Sequence, residues 1–255
     1  MHAHPTSGPL AGKIAYVTGG SRGIGRAIAL AFAEAGADIA ICTLDDAENA
    51  ATLVQAVTAR GRRAFSFNAD VAEIAATRAF AAAAEAELGP CDILVNNAGI
   101  NLRGAFEDVT EQTYDRMIDV HVKGMFFMAQ HVYAGMAARG GGKIINLCSQ
   151  LVFKGGVNIT PYITAKGAIL GFTRALAWEG APKGILVNAI APGPIDTDLT
   201  RNRGPEWQAM MANQLLVGRM GRVEDIAATA LLLAGPGGDF YVGACLSPNG
   251  GDVMV

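Results

Sequence analysis

Tyr162 and Lys166 are four residues apart, and together their side chains could transfer a proton. Residues at this spacing share one face of a helix, and Pro161 just ahead places Tyr162 within the first helical turn. A phenol has a reference pKa of about 10 and is a poor base near neutrality. A neighbouring ammonium and a helix N-terminus both favour the phenolate. The pair therefore predicts a tyrosine with a lowered pKa that exchanges a proton with a substrate hydroxyl.

Ser149 supports this interpretation of Tyr162 and Lys166. Taken alone, the pair is better explained as a solvent-exposed tyrosine and lysine on a surface helix. Ser149, however, ends the apolar run 144–148, at the edge of a predicted strand where ligands bind in open α/β sheets. Its hydroxyl could donate to the substrate oxygen, as a donor in an oxyanion hole does.

Short apolar runs alternate with longer helical stretches along the whole chain, and they must position these side chains. Runs such as 14–17 are apolar throughout, which is typical of parallel strands covered by helices on both faces. The sequence therefore predicts an α/β fold with one doubly wound parallel sheet of about seven strands. Strands are predicted at 13–18, 38–43, 63–68, 92–96, 143–148, 185–191 and 243–246. Helices are predicted at 23–35, 47–60, 72–88, 111–139, 161–180 and 223–233.

A glycine-rich segment, residues 18–25 (TGGSRGIG), follows the first predicted strand and opens a helix. Glycines let the chain turn sharply and lie against a pyrophosphate, and the helix N-terminus supplies amides and a favourable dipole. An ordinary strand–helix turn is the alternative, but the position in the first βαβ unit favours nucleotide binding. The spacing is Gly-x-x-x-Gly-x-Gly, not the more common Gly-x-Gly-x-x-Gly.

Together with Asn96-Asn97-Ala98-Gly99 and the Tyr-x-x-x-Lys pair, this loop resembles the short-chain dehydrogenase/reductase family, in its 3-oxoacyl-reductase-like branch. The resemblance covers about residues 10–251. It implies a single Rossmann-type domain over residues 12–255 that binds NAD(P) and acts on CH–OH groups. A hydride would pass between nicotinamide and a secondary alcohol or ketone carbon, with Tyr162 as acid/base beside Ser149 and Lys166.

The resemblance also implies the residues that hold the cofactor. Asp70 should lie against the adenine ring, and Asn96 and Gly99 should line the cofactor after the fourth strand, although both asparagines could instead serve a turn. Pro192, Gly193 and Thr197 should hold the nicotinamide end. The full expected set is Gly19, Ser21, Arg22, Ile24, Gly25, Thr43, Asp70, Val71, Asn97, Ala98, Gly99, Tyr162, Lys166, Pro192, Gly193, Ile195 and Thr197.

His121 departs from the pattern of the family. It stands in the segment 119–124, where the resemblance implies an asparagine that kinks its helix and anchors a water leading to the lysine. A histidine can hydrogen-bond at either ring nitrogen, so His121 is a further catalytic candidate. With a reference pKa near 6.5, it should add a fall in kcat on the acid side. A degenerate relay or a merely packed histidine are the alternatives.

Cofactor choice should be set near Thr43, which ends the second predicted strand where NAD-preferring enzymes usually place an acid for the ribose diol. Thr43 cannot make that contact, and Arg22 could pair with a 2′-phosphate. Asp45 and Asp46 would repel a phosphate if they turned inward. The balance favours NADP over NAD, and Thr43→Asp should shift the preference toward NADH.

The substrate walls are expected at 100–106, 150–159 and 194–216, and they mix polar with apolar side chains. Ser149, Gln150, Asn158 and Tyr162 are the predicted substrate-binding residues. A sugar-like or keto-acid-like alcohol and a 3-oxoacyl thioester both fit such walls. The segment 194–218 breaks the alternation of strands and helices, so it is predicted to be a lid.

Two other functions are compatible with parts of this pattern. A family member that has lost catalysis would act as a nucleotide-binding or regulatory subunit, which only His121 supports. A sugar-nucleotide epimerase of the extended family would need a sizeable C-terminal substrate domain, and 255 residues leave little room for one.

The bulk composition limits the possible partners. A net charge of −3 gives no basic footprint for nucleic acid or for anionic lipid, and four cysteines far apart in sequence predict no metal site. Residues 1–11 are predicted to be a flexible lead-in and not a signal peptide. No apolar stretch reaches membrane-spanning length, so the expected compartment is the cytoplasm. Apolar faces on helices 111–139 and 161–180 predict a homo-oligomer, by resemblance a tetramer.

Overall fold

The computed structural model describes residues 8–254 and contains one seven-stranded parallel sheet in the order β3-β2-β1-β4-β5-β6-β7. The chain winds outward from β1 to β3 and then, from β4, in the opposite direction. The predicted doubly wound sheet is therefore confirmed. Its strands are β1 (Ile14–Thr18), β2 (Asp38–Thr43), β3 (Ala64–Asn68), β4 (Ile93–Asn96), β5 (Gly142–Leu147), β6 (Ile185–Ile190) and β7 (Cys245–Leu246).

Ten α-helices lie within residues 8–254. They are α1 (Gly23–Glu34), α2 (Ala47–Thr58), α3 (Ile74–Leu88), α4 (Glu111–Ile118), α5 (Gly124–Ala138), α6 (Leu151–Lys154), α7 (Thr160–Gly180), α8 (Asp198–Arg201), α9 (Pro205–Gln214) and α10 (Val223–Ala234).

The two faces of the sheet are covered by two separate apolar cores. Ala15 and Val17 of β1 pack with α1, α2 and α10 on one face, and the intervening Tyr16 packs with α3 and α5 on the other. Because both faces are covered, alternate side chains of each central strand are buried on opposite sides. This explains why the strands have no polar alternation in the sequence.

The sheet edge that positions the site lies between β1 and β4, where the strand order reverses. Thr18 ends β1 and Asn96 ends β4, so both residues reach the crevice in which open α/β sheets bind ligands. Asn96 Nδ2 donates to Asn146 Oδ1 of β5 at 2.9 Å, and Asn146 Nδ2 donates to Thr173 Oγ1 of α7 at 2.9 Å. This buried chain of amides fixes α7 against the ends of the strands.

The predicted helix 111–139 is not a uniform α-helix. It forms α4, then a π-helical turn at Asp119–Lys123, then α5. A π turn inserts one extra residue into the helical ladder, and such turns are frequent at functional sites. The turn contains His121, whose buried ring contacts the backbone of the loop after β4.

The structure adds helices to one predicted segment and changes the description of another. The segment 194–218, for which no helix was predicted, contains α8 and α9. Residues 8–11 are not a flexible lead-in, because Leu10 is 1% exposed in the apolar core and its N–H donates to Ala35 O at 2.9 Å. Burying that leucine contributes about 2 kcal/mol, enough to hold the segment in place. Residues 1–7 lie outside the described residues.

Among residues 8–254, no helix is both long enough and apolar enough to cross a membrane.

Candidate active site

Ser149, Tyr162 and Lys166 meet at the carboxyl edge of the sheet. Ser149 lies just beyond β5 and is buried, while Tyr162 lies in the first turn of α7, as its spacing from Pro161 predicted. Lys166 is 4% exposed, and its Nζ donates to Leu147 O at 2.6 Å and lies 5.6 Å from the centre of the Tyr162 ring.

The expectation that Lys166 lowers the pKa of Tyr162 is wrong for this arrangement. Burial raises the pKa of Tyr162 to about 12, and the hydrogen bond from Ser149 offsets only part of that rise. Burial likewise lowers the pKa of Lys166 to about 8. Desolvation disfavours the charged form of both groups. Near neutrality Tyr162 is therefore a phenol with a proton to give.

His121 is held by the loop that follows β4. Its Nε2 lies 2.8 Å from Ile100 O and 3.1 Å from Ile100 N, while its Nδ1 is buried with no partner among residues 8–254. The ring packs edge-on against Tyr162, with 5.6 Å between ring centres. Burial, and then the charge of Lys166, lower the pKa of His121 to about 3. With this pKa the imidazole stays neutral through the physiological range, so its titration is not expected to lower kcat on the acid side.

A small cavity of about 10 Å³ lies between His121 and the ends of the strands. Thr18, Asn96 and Leu147 also line it, and Asn96 Oδ1, like His121 Nδ1, is a buried polar atom with no partner among residues 8–254. A volume of this size holds one water, and a water needs polar partners such as these. Leu147 lines the cavity and also, through its carbonyl oxygen, accepts from Lys166 Nζ.

The glycine loop has the shape and the free amides that a pyrophosphate needs. Gly19 has φ +64°, and a Cβ on Gly25 would lie 2.2 Å from Gly19 O, so neither position accepts a side chain without strain. The twelve-residue helix α1 begins after Arg22 with no side-chain cap and no acid in its first turn. Asn97 supports the loop, since its Nδ2 donates to Thr18 O and Gly19 O at 3.0 and 2.9 Å. These residues fit a dinucleotide.

The other predicted contacts of the adenosine half lie around this loop. Ser21 Oγ is 2.9 Å from Thr43 Oγ1 and donates to Asp46 Oδ2 at 2.7 Å, and Arg22 Nε is 3.9 Å from the same oxygen. The hydrogen bond from Ser21 lowers the pKa of Asp46. Asp45 turns away toward Asn68. Of the two acids, Asp46 is thus the one beside Arg22.

Asp70 lies beyond β3 and pairs with Arg116 of α4 at 2.8 Å, a partner that the sequence did not reveal. The buried Val71 lines the small cavity, as Ala98 does. Gly99 lies against His121, because a Cβ there would be 2.5 Å from its Cε1. The structure therefore brings the predicted residues after β3 and β4 to the crevice.

The predicted nicotinamide end lies across the crevice. Pro192 O accepts from Gln150 N at 3.1 Å, Ile195 is buried, and Thr197 precedes α8. A Cβ on Gly23 would lie 3.8 Å from Thr197 Cγ2, so this turn adjoins the start of α1, where Ile24 also lies. A Cβ on Gly193 would lie 2.5 Å from Asn249 Cα, which shows how closely the C-terminal turn approaches.

Asn158 adopts φ +61° and its O accepts from Gly104 N at 3.1 Å, which ties two predicted substrate walls together. The wall that contains Gln150 also contacts Asp252, which the sequence analysis missed. Gln150 Nε2 donates to Asp252 Oδ2, and Lys154 Nζ pairs with Asp252 Oδ1. Asp252 is 102 residues from Gln150 in the sequence. No local spacing could have linked the two.

Comparisons with known proteins agree with this geometry. The profile of a family described as short chain dehydrogenase matches residues 13–208. The 2-dehydro-3-deoxy-D-gluconate 5-dehydrogenase of Dickeya dadantii is 37% identical over 245 residues, 95% of this chain and 96% of that protein. The 3-oxoacyl-[acyl-carrier-protein] reductase of Staphylococcus aureus is 36% identical over 242 residues, 95% and 98% of the two chains. A blue fluorescent protein from a metagenomic library, solved with NADPH, is 42% identical and superposes with a TM-score of 0.91 over 96% of this chain and all of that one.

Proposed function

The chain belongs to the short-chain dehydrogenase/reductase family and is an NAD(P)-dependent oxidoreductase acting on CH–OH groups, and from this we propose that it reduces the ketone of a small hydroxylated molecule, with Tyr162 as the proton donor. The observation that carries the proposal is the position of Tyr162 in the first turn of α7, with Lys166 Nζ 5.6 Å from its ring centre and Ser149 buried just beyond β5. NAD(P), when bound, supplies or accepts the hydride.

Each of the three side chains has a separate task. The Tyr162 phenol, with a pKa of about 12, keeps its proton near neutrality and can give it to a carbonyl oxygen as charge develops there. The Ser149 hydroxyl donates a hydrogen bond to the same oxygen and orients it. The Lys166 ammonium, held by Leu147 O, stabilises negative charge on that oxygen and on the phenolate that remains.

Two observations support a small hydroxylated substrate. The wall next to Ser149 presents polar groups, Gln150 and Asn158, and the printed name of the Dickeya relative describes action on a sugar acid. A 3-oxoacyl thioester is the second candidate, because the Staphylococcus reductase is almost equally similar.

A panel of ketones tests the function directly. Purified protein is mixed with NADPH or NADH and with sugar-like ketones, keto acids or 3-oxoacyl thioesters, and the loss of reduced cofactor is followed by absorbance. We expect turnover to be fastest with a hydroxylated ketone. Cofactor binding with no turnover across the whole panel would instead favour a regulatory subunit.

The proposed preference for NADPH rests on Arg22. Arg22→Gln should lower the ratio of kcat/KM for NADPH over NADH about fivefold, because it removes the cation expected to pair with the 2′-phosphate. The effect should be modest, since solvent and salt screen an exposed ion pair. Asp46→Asn serves as the opposite-sign control and should raise the same ratio, since it removes the carboxylate beside Arg22. An unchanged ratio in both variants would show that neither residue meets the ribose.

The segment containing α8 and α9 is proposed as the lid. Its ends are anchored, by a bridge between Ile195 and Gly221 and by the buried Leu215, whereas α9 buries none of its side chains fully. Elements with few buried contacts open locally at low cost. Amides of α9 should therefore gain protection from hydrogen exchange when cofactor and substrate bind, and equal protection with and without ligands would contradict the lid.

Self-association is proposed from the exposed aromatic face of α5 and α7. Phe126 is 44% exposed and packs at tilted angles against Phe127 and Phe172, with ring centres 5.4 and 5.2 Å away, and Trp178 of α7 is 85% exposed. Apolar faces of this kind mark interfaces, and the resemblance implies a tetramer. Light scattering at micromolar concentration should give four times the mass of one chain, and Phe126→Glu should reduce it. A monomeric parent would contradict the proposal.

A further inference from the structure

In the side-chain amide of Gln150 the nitrogen makes a hydrogen bond, whereas the oxygen has no partner within residues 8–254. Gln150 directly follows Ser149 and is 3% exposed. Its Nε2 donates to Asp252 Oδ2, and because a carboxylate only accepts, this contact fixes which branch is the NH₂ group. The remaining Oε1 is buried and has no hydrogen-bond partner within residues 8–254. A buried acceptor without a donor in the protein calls for an explanation.

Asp252 is held firmly enough to fix that amide. Its side chain is 5% exposed, and Lys154 Nζ pairs with the carboxylate oxygen that Gln150 does not use. Its backbone is held by Asn249, whose Oδ1 accepts from Gly251 N at 2.9 Å and from Asp252 N at 3.2 Å. The turn 249–253 therefore places a rigid carboxylate behind the residue that follows Ser149.

The same turn joins the other parts of the site. Gly250 O accepts from Val217 N, at the end of the lid, at 3.2 Å, and a Cβ on Gly251 would lie 2.8 Å from Leu216 Cβ. Asn249 lies against Gly193 in the proposed nicotinamide turn. The C-terminal turn thus links the lid, the nicotinamide turn and the wall that contains Gln150.

A second buried acceptor without a partner lies in another predicted substrate wall, residues 100–106. Asn101 Oδ1, in the loop after β4, also has no donor within the described part of the chain. Two acceptors that lack protein donors, on two walls of one site, are complementary to a ligand that carries O–H groups. An acyl chain without hydroxyls would leave both unsatisfied.

We propose that Asp252 is a positioning residue that holds Gln150 Oε1 ready to accept a hydrogen bond from a substrate hydroxyl next to the reacting carbonyl, so that the enzyme selects α-hydroxy ketones over their deoxy analogues. The inference rests on the proposed function, because it assumes that Ser149 binds the reacting oxygen. It adds the substrate class: a ketone that bears a hydroxyl donor within one or two carbons of the carbonyl.

The test compares two ketones of nearly equal size, hydroxyacetone and butanone, followed by the best hydroxylated ketone of the panel and its deoxy analogue. Gln150→Met keeps the length of the side chain and removes the acceptor. It should lower the kcat/KM ratio of hydroxyacetone over butanone about fivefold, mainly through KM for hydroxyacetone. Asp252→Asn should lower the ratio in the same direction by about threefold, since the amide can then reverse.

A double variant and a matched control separate positioning from a general structural role. If Asp252 acts through Gln150, adding Asp252→Asn to Gln150→Met should cause no further loss of selectivity. Asp239→Asn, at an exposed carboxylate paired with Lys143, should leave the ratio unchanged.

An unchanged kcat/KM ratio in Gln150→Met would overturn the inference while the proposed function stands, whether both ketones lose activity equally or neither loses any. If the unchanged ratio came with a raised KM for NADPH, the donor to Gln150 would be the carboxamide of the cofactor. A parent protein that turns over no ketone at all would overturn the proposed function and this inference together.

Discussion

Replacing Tyr162 with phenylalanine should lower kcat by at least about a hundredfold, the usual contribution of a positioned general acid or base. The change removes one oxygen and leaves the ring, so the edge-on contact with His121 and the packing of α7 should persist. Binding of NADPH, measured by fluorescence titration, and the melting temperature should stay close to those of the parent. The loss therefore should appear in kcat and not in folding or cofactor affinity.

Tyr114→Phe is the matched control for this experiment. Tyr114 lies on α4 and is 44% exposed, so the same loss of a hydroxyl there should leave kcat unchanged. The solvent isotope effect on kcat is an additional measurement. In the proposed step the Tyr162 phenol of the parent gives up a proton, and Tyr162→Phe has no such proton to give. Turnover of the Phe variant near the parental rate would refute the assignment of Tyr162 as proton donor.

The strands could be predicted closely because burial on both faces leaves a simple mark in the sequence. Six of the seven, β1 to β6, begin and end within one residue of their predicted limits. The last strand is shorter than predicted and comprises only Cys245–Leu246, since it pairs with β6 alone at the edge of the sheet. An edge strand of two residues is too short for its apolar pattern to predict where it begins and ends.

Helices α8 and α9 could not be predicted, for the opposite reason. Because α9 buries no side chain fully, its sequence shows no apolar stripe, and it begins at Pro205 after Gly204, residues that are typical of turns. The π turn at Asp119–Lys123 was also hidden. A single extra residue in a helical ladder changes no local propensity, and the contact between His121 and Ile100 that accompanies it joins elements 21 residues apart.

The candidate catalytic residues could be chosen from the sequence, whereas the direction of their pKa shifts could not. The spacing of Tyr162 and Lys166 gives a shared helical face, but the direction of the shifts depends on burial that α7 acquires only in the folded sheet. The same holds for Asp252, which reaches Gln150 only because β7 returns the C-terminus to the edge occupied by Ser149.

His121 is the residue for which the structure most changes what should be measured. His121, Asn96 and Leu147 line a cavity of one-water size, and Leu147 O accepts from Lys166 Nζ. If this water passes protons toward Lys166, a hydrogen-bonding group of moderate reach is needed at position 121. His121→Leu should then lower kcat about tenfold or more, because a buried water would lose a partner, while His121→Asn should retain substantial activity.

The acid side of the pH profile distinguishes this neutral role from a titrating one. With its pKa lowered to about 3 by burial and by the charge of Lys166, His121 gains no proton between pH 5 and 8. The parent and His121→Asn should therefore have parallel kcat profiles across that range, differing by a constant factor. Melting temperatures of all three proteins give the control for folding, because both variants remove the contact with Ile100. If His121→Leu turns over like the parent, the ring is only packing and protons reach Lys166 by another path. If the parent alone loses kcat below pH 6.5, the imidazole is protonated in the working enzyme, which contradicts the neutral role of His121.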